Sequence, residues 1–203
     1  MNSLPSYSSA AERNSQPILD QLQNLLPAQG TILEIGSGTG QHAVFFTRSL
    51  PGLWWQPTDR EANLAGLQCR FEQEANERIL PPLRLDVLAD PWPEELYQAA
   101  YSANTAHIMS WDAVVAMFEG VAARLIADAR FCLYGPFNVN QQFTAPSNAQ
   151  FDAQLRAGDP DMGIRDMQVL QDLAMSQQMD LEHRLEMPAN NFLLVFRKTS
   201  GLN

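Results

Sequence analysis

The sequence predicts an α/β protein: a doubly wound, mostly parallel seven-stranded sheet that ends in a C-terminal antiparallel hairpin. Three observations carry this reading. Ile32-Leu33-Glu34-Ile35, an apolar run suited to a buried parallel strand, breaks into Gly36, Gly38 and Gly40, and residues 41–50 can then form a helix. Short strand-like runs continue to alternate with segments of helical period as far as Tyr134. Finally, residues 181–187 and 192–198 flank Pro188-Ala189-Asn190-Asn191, a turn composition between two strand patterns.

The elements follow in order. Residues 10–26 carry apolar side chains at 18, 19, 22, 25 and 26, one face of an amphipathic helix that Pro27 closes. Gly30 turns the chain into the first strand. Residues 53–59 (Leu-Trp-Trp-Gln-Pro-Thr-Asp) read as a second strand ending in a carboxylate, and residues 61–77 as a helix with Leu64, Leu67 and Phe71 inward. Pro81-Pro82 precedes a third strand, residues 83–87, and Pro91-Trp92-Pro93 is expected to open a short helix. Residues 99–104 form a fourth strand unusually rich in small side chains. Residues 111–126 have a strong helical face, and residues 130–134 make a fifth strand ending at Gly135-Pro136. The segment 137–165 shows little regular signal and reads as a long loop, functional or mobile. Residues 166–178 are helical, and the hairpin follows.

Bulk properties narrow the function. The 203 residues suit one domain, 1–203, with a sizeable core, and 45% apolar content fits a soluble globular protein. No apolar run approaches a membrane span, and residues 1–14 are polar where a signal peptide would be apolar, so a cytoplasmic location is the default expectation. Cys69 and Cys132 fall in a helix and a buried strand, which core packing explains better than a disulfide. Three histidines and two dispersed cysteines argue against a zinc site. Net charge is −10, with 13 basic against 23 acidic residues and Lys198 the only lysine, so a nucleic acid partner is disfavoured. The sequence leaves the oligomeric state open.

The chemistry-bearing residues begin at the glycine loop. Three closely spaced glycines permit positive φ and close approach of a ligand, and the amides of a loop that opens a helix suit a polar, nucleotide-like molecule. A dinucleotide fingerprint places its third glycine where Gln41 stands; here it comes one residue earlier, at Gly40, which disfavours a nicotinamide oxidoreductase. Asp59, at the end of the second strand, is placed to accept from ribose hydroxyls.

The pattern Glu34-x-Gly36-x-Gly38-x-Gly40 resembles the first motif of the class I S-adenosylmethionine-dependent methyltransferases, whose fold is Rossmann-like. The resemblance implies an enzyme that binds S-adenosyl-L-methionine through Glu34, Gly36, Ser37, Gly38, Gly40 and Gln41, then Asp59 and Arg60. It also implies that Asp86 accepts from the adenine amino group while the Val87 amide faces the ring. The chain further resembles an uncharacterised family of small methyltransferase-like proteins over nearly its full length. The blocks that carry this are Ala11-Glu12-Arg13-Asn14, Gly38 to Ala43, Asn104-Thr105-Ala106-His107-Ile108, Gly135-Pro136-Phe137, Ser147-Asn148, Phe151-Asp152, Gly163 to Asp166, and Met187 to Asn191. Thr105 stands where that family usually has a larger apolar residue, and Met162 where it has an aromatic.

The acceptor side falls at the carboxyl ends of the strands, where such sheets bind ligands. Asn104 and His107 follow the fourth strand. Asn104 is expected to touch both cofactor and acceptor, and His107 to position or deprotonate the acceptor; its alternative is a helix-start histidine that packs and hydrogen-bonds locally. His42, between Gln41 and Ala43, reads as structural, and His183 as a surface residue. Arg13 and Asn14 are either a solvated helix start or part of an N-terminal lid, residues 1–14, that closes on the cofactor. The expected partner is a small-molecule acceptor. The alternative is a non-catalytic binding module of the same fold, which the weak base inventory favours and the intact loop and aspartates oppose.

Overall fold

A computed structural model describes residues 7–74 and 76–200 of the chain. Its first half runs α1 (Ser9–Leu25), β1 (Gly30–Ile35), α2 (Gln41–Ser49), β2 (Leu53–Asp59), α3 (Glu61–Glu74), β3 (Leu83–Arg84), β4 (Tyr97–Ala103) and α4 (Trp111–Arg124). The second half adds β5 (Leu125–Gly135), β6 (Phe137–Asn138), α5 (Pro146–Gly158), β7 (Arg165–Asp166), α6 (Met167–Ser176), β8 (Met179–Met187) and β9 (Asn191–Lys198). Seven strands form one sheet in the order β3-β2-β1-β4-β5-β9-β8. The first five are parallel, and β9 inserts antiparallel between β5 and β8. The expected fold class is therefore observed.

Side-chain alternation along the strands makes two cores. Ile32, Trp55, Tyr101, Cys132 and Val195 face Ile18, Leu22 and Phe46 of α1 and α2. Their strand neighbours Leu33, Ala100, Phe131, Leu133 and Phe196 face Val114, Phe118 and Leu170 of α4 and α6. Period-two exposure of a strand buried on both sides requires apolar residues at nearly every position, which is why the parallel strands read as continuous runs. The small residues of β4 are consistent with its place at the centre, between Trp55 and Phe46 on one face and Phe118 on the other.

Several expectations are corrected. No helix follows Pro91: neither proline has an N–H to give, Pro93 biases Trp92 toward extended backbone, and the Trp92 indole lies on Gly120 of α4, where a Cβ would come within 2.0 Å. The third strand is two residues long, because the Asp86 amide turns away to Asp90 Oδ2 at 2.8 Å after Leu85 N–H makes a last bond to the Asp59 carbonyl. The segment 137–165 is not a loop throughout, since α5 occupies its middle. That helix eluded the periodicity because the residues it buries are Asn148 and Asp152, one turn apart, rather than an apolar stripe.

Candidate functional site

The glycine loop joins β1 to α2 at the carboxyl edge of the sheet. Gly36, Gly38 and Gly40 have φ of 71°, 57° and 73°. A Cβ at Gly36 would stand 2.6 Å from Thr105 Cγ2, whereas one at Gly38 would meet nothing within 4 Å. Gly38 thus presents an open face in a backbone region that resists branched side chains. Beyond it, Gly40 begins α2 in a left-handed conformation and supplies no side-chain cap, leaving the first-turn amides of the helix to an external acceptor.

Two buried carboxylates hold this loop. Asp59 takes the Gly38 N–H on Oδ2 at 2.6 Å, and the Arg60 N–H and Asn63 Nδ2 on Oδ1 at 2.8 and 2.7 Å. A carboxylate accepts about four hydrogen bonds, so Asp59 keeps one position, on Oδ2, for a further donor. Glu34 lies beneath the loop, 2% exposed, and one of its oxygens, Oε2, accepts from Ser37 Oγ at 2.7 Å and Trp55 Nε1 at 3.0 Å. Burial raises its pKa to about 7 against the opposing pull of those two donors, with the charge of Asp59 adding a smaller push upward. Asp86 is half-buried where β3 ends, its Oδ1 accepting the Leu88 N–H at 3.1 Å; Val87 beside it packs on the α4 core.

Gln41, Arg13 and Asn14 lie where α1 meets α2. The Gln41 carboxamide pairs with the backbone of Ser8, accepting its N–H at 2.6 Å and donating to its carbonyl at 3.2 Å, and also accepts from Thr39 Oγ1. Asn14 is buried: its Oδ1 meets His42 Nε2 at 2.7 Å, which leaves His42 Nδ1 to accept from the Tyr101 hydroxyl at 3.1 Å. Burial lowers the His42 pKa to about 4. Arg13, one position earlier, is exposed. The expected lid is therefore divided. Residues 1–6 lie outside the described residues, while Ser9 to Asn14 already form the first turns of α1, fastened to α2.

Asn104 and His107 lie together past β4. Asn104 is half-buried with φ of 58°, and its N–H bonds the Tyr134 carbonyl of β5 at 2.9 Å. The neighbouring Thr105 shares a 2.6 Å hydrogen bond with Ser102 Oγ, and its methyl covers Gly36. His107 is 6% exposed, in a T-shaped contact with the Phe151 ring of α5 at 5.2 Å. Burial first, and the Arg165 charge second, lower its pKa to about 4, so it is neutral at pH 7.

Sequence reasoning read 137–165 only as one long functional or mobile segment and gave no individual role to the residues that build the cover over these strand ends. Arg165 donates Nε to the Ala106 carbonyl at 3.0 Å and Nη2 to the carbonyls of Met109 and Asp161. Asp152 joins Arg156 Nε at 2.8 Å to the Ile164 N–H at 2.7 Å, and Asn148 donates to the Asn190 carbonyl at 3.2 Å. Their appearance in the shared blocks was the only signal available. A separate surface cavity of about 680 Å³ opens between α1, α2 and α3, lined among others by Tyr7, Gln16, Phe45 and Arg48; neither Asp59 nor Asp86 borders it. Among the described residues, no group of three or more His, Cys, Asp or Glu is placed to hold a metal ion.

This architecture is that of the class I S-adenosylmethionine-dependent methyltransferases. The chain aligns with an O-methyltransferase family protein from Burkholderia thailandensis at a TM-score of 0.80 and 14% identity, covering 95% of this chain and 58% of that one. Human N-acetylserotonin methyltransferase, in complex with SAM, gives 0.79 and 13%, covering 94% and 53%. CalO1, a methyltransferase of calicheamicin biosynthesis in an SAH-bound form, gives 0.73 and 16%, covering 92% and 54%. The chain thus spans a little over half the length of each. By sequence it belongs to the family described as a protein of unknown function (DUF938), which it matches over residues 5–198.

Proposed function

We propose that the chain is an S-adenosyl-L-methionine-dependent methyltransferase acting on a small-molecule acceptor. The observation that carries the reading is the open face of Gly38, held by Asp59 at an uncapped helix start, with Asp86 at the end of the next strand. Those residues fit a ligand that combines an adenosine with an amino-acid tail. In this reading the free acceptor position of Asp59 takes a ribose hydroxyl, Asp86 takes the adenine amino group, and the Val87 amide faces the ring. The first-turn amides of α2 and the exposed Arg13 suit the carboxylate of the tail. Ser37, Arg60 and Gln41 border the ligand mainly as supports of loop and helix. Glu34 holds the loop from below.

The bound cofactor supplies an activated methyl group on a sulfonium, so the protein has only to align an acceptor and exclude water. Asn104 and His107 stand at that edge. A buried imidazole that is neutral at pH 7, with no carboxylate hydrogen-bonded behind it, is better suited to positioning the acceptor than to removing its proton. The same feature favours the second reading, a cofactor-binding module without turnover. Calorimetry with S-adenosylmethionine, S-adenosylhomocysteine and NAD separates the oxidoreductase, and release of S-adenosylhomocysteine on incubation with metabolite extracts separates enzyme from module. Binding of NAD in place of the sulfonium compound would overturn the proposal.

A further inference from the structure

We infer that the acceptor is an uncharged molecule with a flat ring, seated on the exposed face of Phe151 beside His107 and Asn104. This rests on the methyltransferase reading and adds the chemical class of its substrate.

The inference comes from what happens to charge around the ends of β4 and β5. Arg165 would attract a carboxylate or phosphate, but its guanidinium is engaged by three backbone carbonyls of Ala106, Met109 and Asp161. Asp152 would attract a cation, but it is buried and its charge is already neutralised by Arg156, with the Ile164 N–H on its other oxygen. Arg156 is itself held in that pair. Among the described residues, the side chains left to meet a ligand there are Asn104, His107, Asn148 and Phe151. None carries a charge at neutral pH, since burial lowers the His107 pKa to about 4. Among the described residues, a charged ligand group would lose water at this edge beside charges that are already paired or hydrogen-bonded, whereas carboxamides and a neutral imidazole serve hydroxyl, amine or carbonyl groups.

The apolar surface says the rest. Phe151 is 36% exposed although it is in contact with His107, and Phe143 and Ile108, on the two segments that flank this edge, are 43% and 46% exposed. The T-shaped contact with His107 leaves part of the Phe151 ring open to solvent, a surface on which a second ring can stack. Asn148 fixes α5 to the turn at Asn190, and the Gly163 N–H bonds the His107 carbonyl at 2.9 Å, so the ring is carried by a braced element and not by a free loop.

The test uses matched pairs of probes on the full chain saturated with S-adenosylhomocysteine. Binding of 2-naphthol and 2-naphthylamine is compared by calorimetry with binding of 3-hydroxy-2-naphthoate and 3-amino-2-naphthoate. The expected result is at least about tenfold tighter binding of each uncharged member, the effect of one unpaired charge on a site whose own charges are already paired. Phe151→Ala should weaken the uncharged probes about five- to tenfold and Phe151→Leu less, both with unchanged affinity for S-adenosylhomocysteine. Equal or tighter binding of the carboxylates overturns the inference, as does absence of binding by both uncharged rings, or indifference to Phe151→Ala. Failure of S-adenosylhomocysteine itself to bind is a different result, and removes the methyltransferase reading together with this one.

Discussion

At the scale of single residues the two carboxylates of the glycine loop make opposite predictions. Asp59 works as an acceptor, taking three hydrogen bonds from the protein. Asp59→Ala should weaken S-adenosylhomocysteine binding by about 1–3 kcal/mol, because it removes a charge-assisted acceptor and frees the Gly38 N–H, while Asp59→Asn should cost less. Equal and negligible changes in calorimetry would return Asp59 to a purely structural post. Glu34 instead is buried at the expense of its charge, its pKa raised to about 7. A carboxyl whose folded pKa lies above its unfolded value contributes stability that is complete below about pH 4 and is lost as pH rises through 7. The folded state holds the proton that the unfolded chain releases. Glu34→Gln keeps an acceptor for Ser37 and Trp55, so the variant should gain on the wild type between pH 4.5 and 8, by up to about 3 kcal/mol at the upper end. His42 and His107, with folded pKa near 4, act in the reverse sense, favouring stability above the unfolded value of about 6.5 and eroding it toward pH 4. Both are present in wild type and variant, so the difference between the two urea-denaturation series isolates Glu34. A difference that stays flat with pH would mean that Glu34 is ionised throughout.

Among the elements, the joint between α1 and α2 decides what the N-terminal region can do. Gln41 takes the place of a neighbouring strand for Ser8, giving and accepting one backbone hydrogen bond, and Asn14 bonds His42, the next residue of α2. Gln41→Ala should lower stability by about 1–2 kcal/mol and speed hydrogen exchange over residues 8–12 more than over β1 or β4. Uniform acceleration across the chain would instead show that the joint has no local character. This joint was hidden from the sequence because it pairs a side chain with a backbone thirty-three residues away. Legibility followed the same rule elsewhere. Elements with an apolar period or run, such as α4, β1 and β2, were readable within a few residues. Those whose inward face is polar or whose length is set by a partner were not. The α5 helix buries Asn148 and Asp152, and β3 stops where Asp90 captures the Asp86 amide.

The whole molecule separates into a half that local sequence specifies and a half that assembly specifies. Glu34, the three glycines and Asp59 lie on one β-loop-helix-β unit, so their spacing already fixed their meeting at the carboxyl edge, and Asp86 follows from the next strand. The acceptor edge gathers Asn104, Tyr134, Phe151 and Asn190 from four segments joined by Arg165, Asp152 and Asn148, contacts that no local pattern records. The folding equilibrium then gives a test of the first half that does not depend on the second. A ligand that binds only the native state stabilises it by RT ln(1 + [L]/Kd), about 2.7 kcal/mol at a hundredfold excess over Kd, which for a domain of this size raises Tm by roughly 5–10 °C. S-adenosylhomocysteine should produce that shift with a 1:1 stoichiometry, and NAD should produce none. Gly38→Val should abolish the shift, since a branched side chain resists φ of 57° and fills the open face; Gly38→Ala should reduce it less. Each variant is read against its own ligand-free Tm, so backbone strain that lowers the baseline does not imitate lost binding. An undiminished shift in Gly38→Val would place the cofactor somewhere other than on the glycine loop.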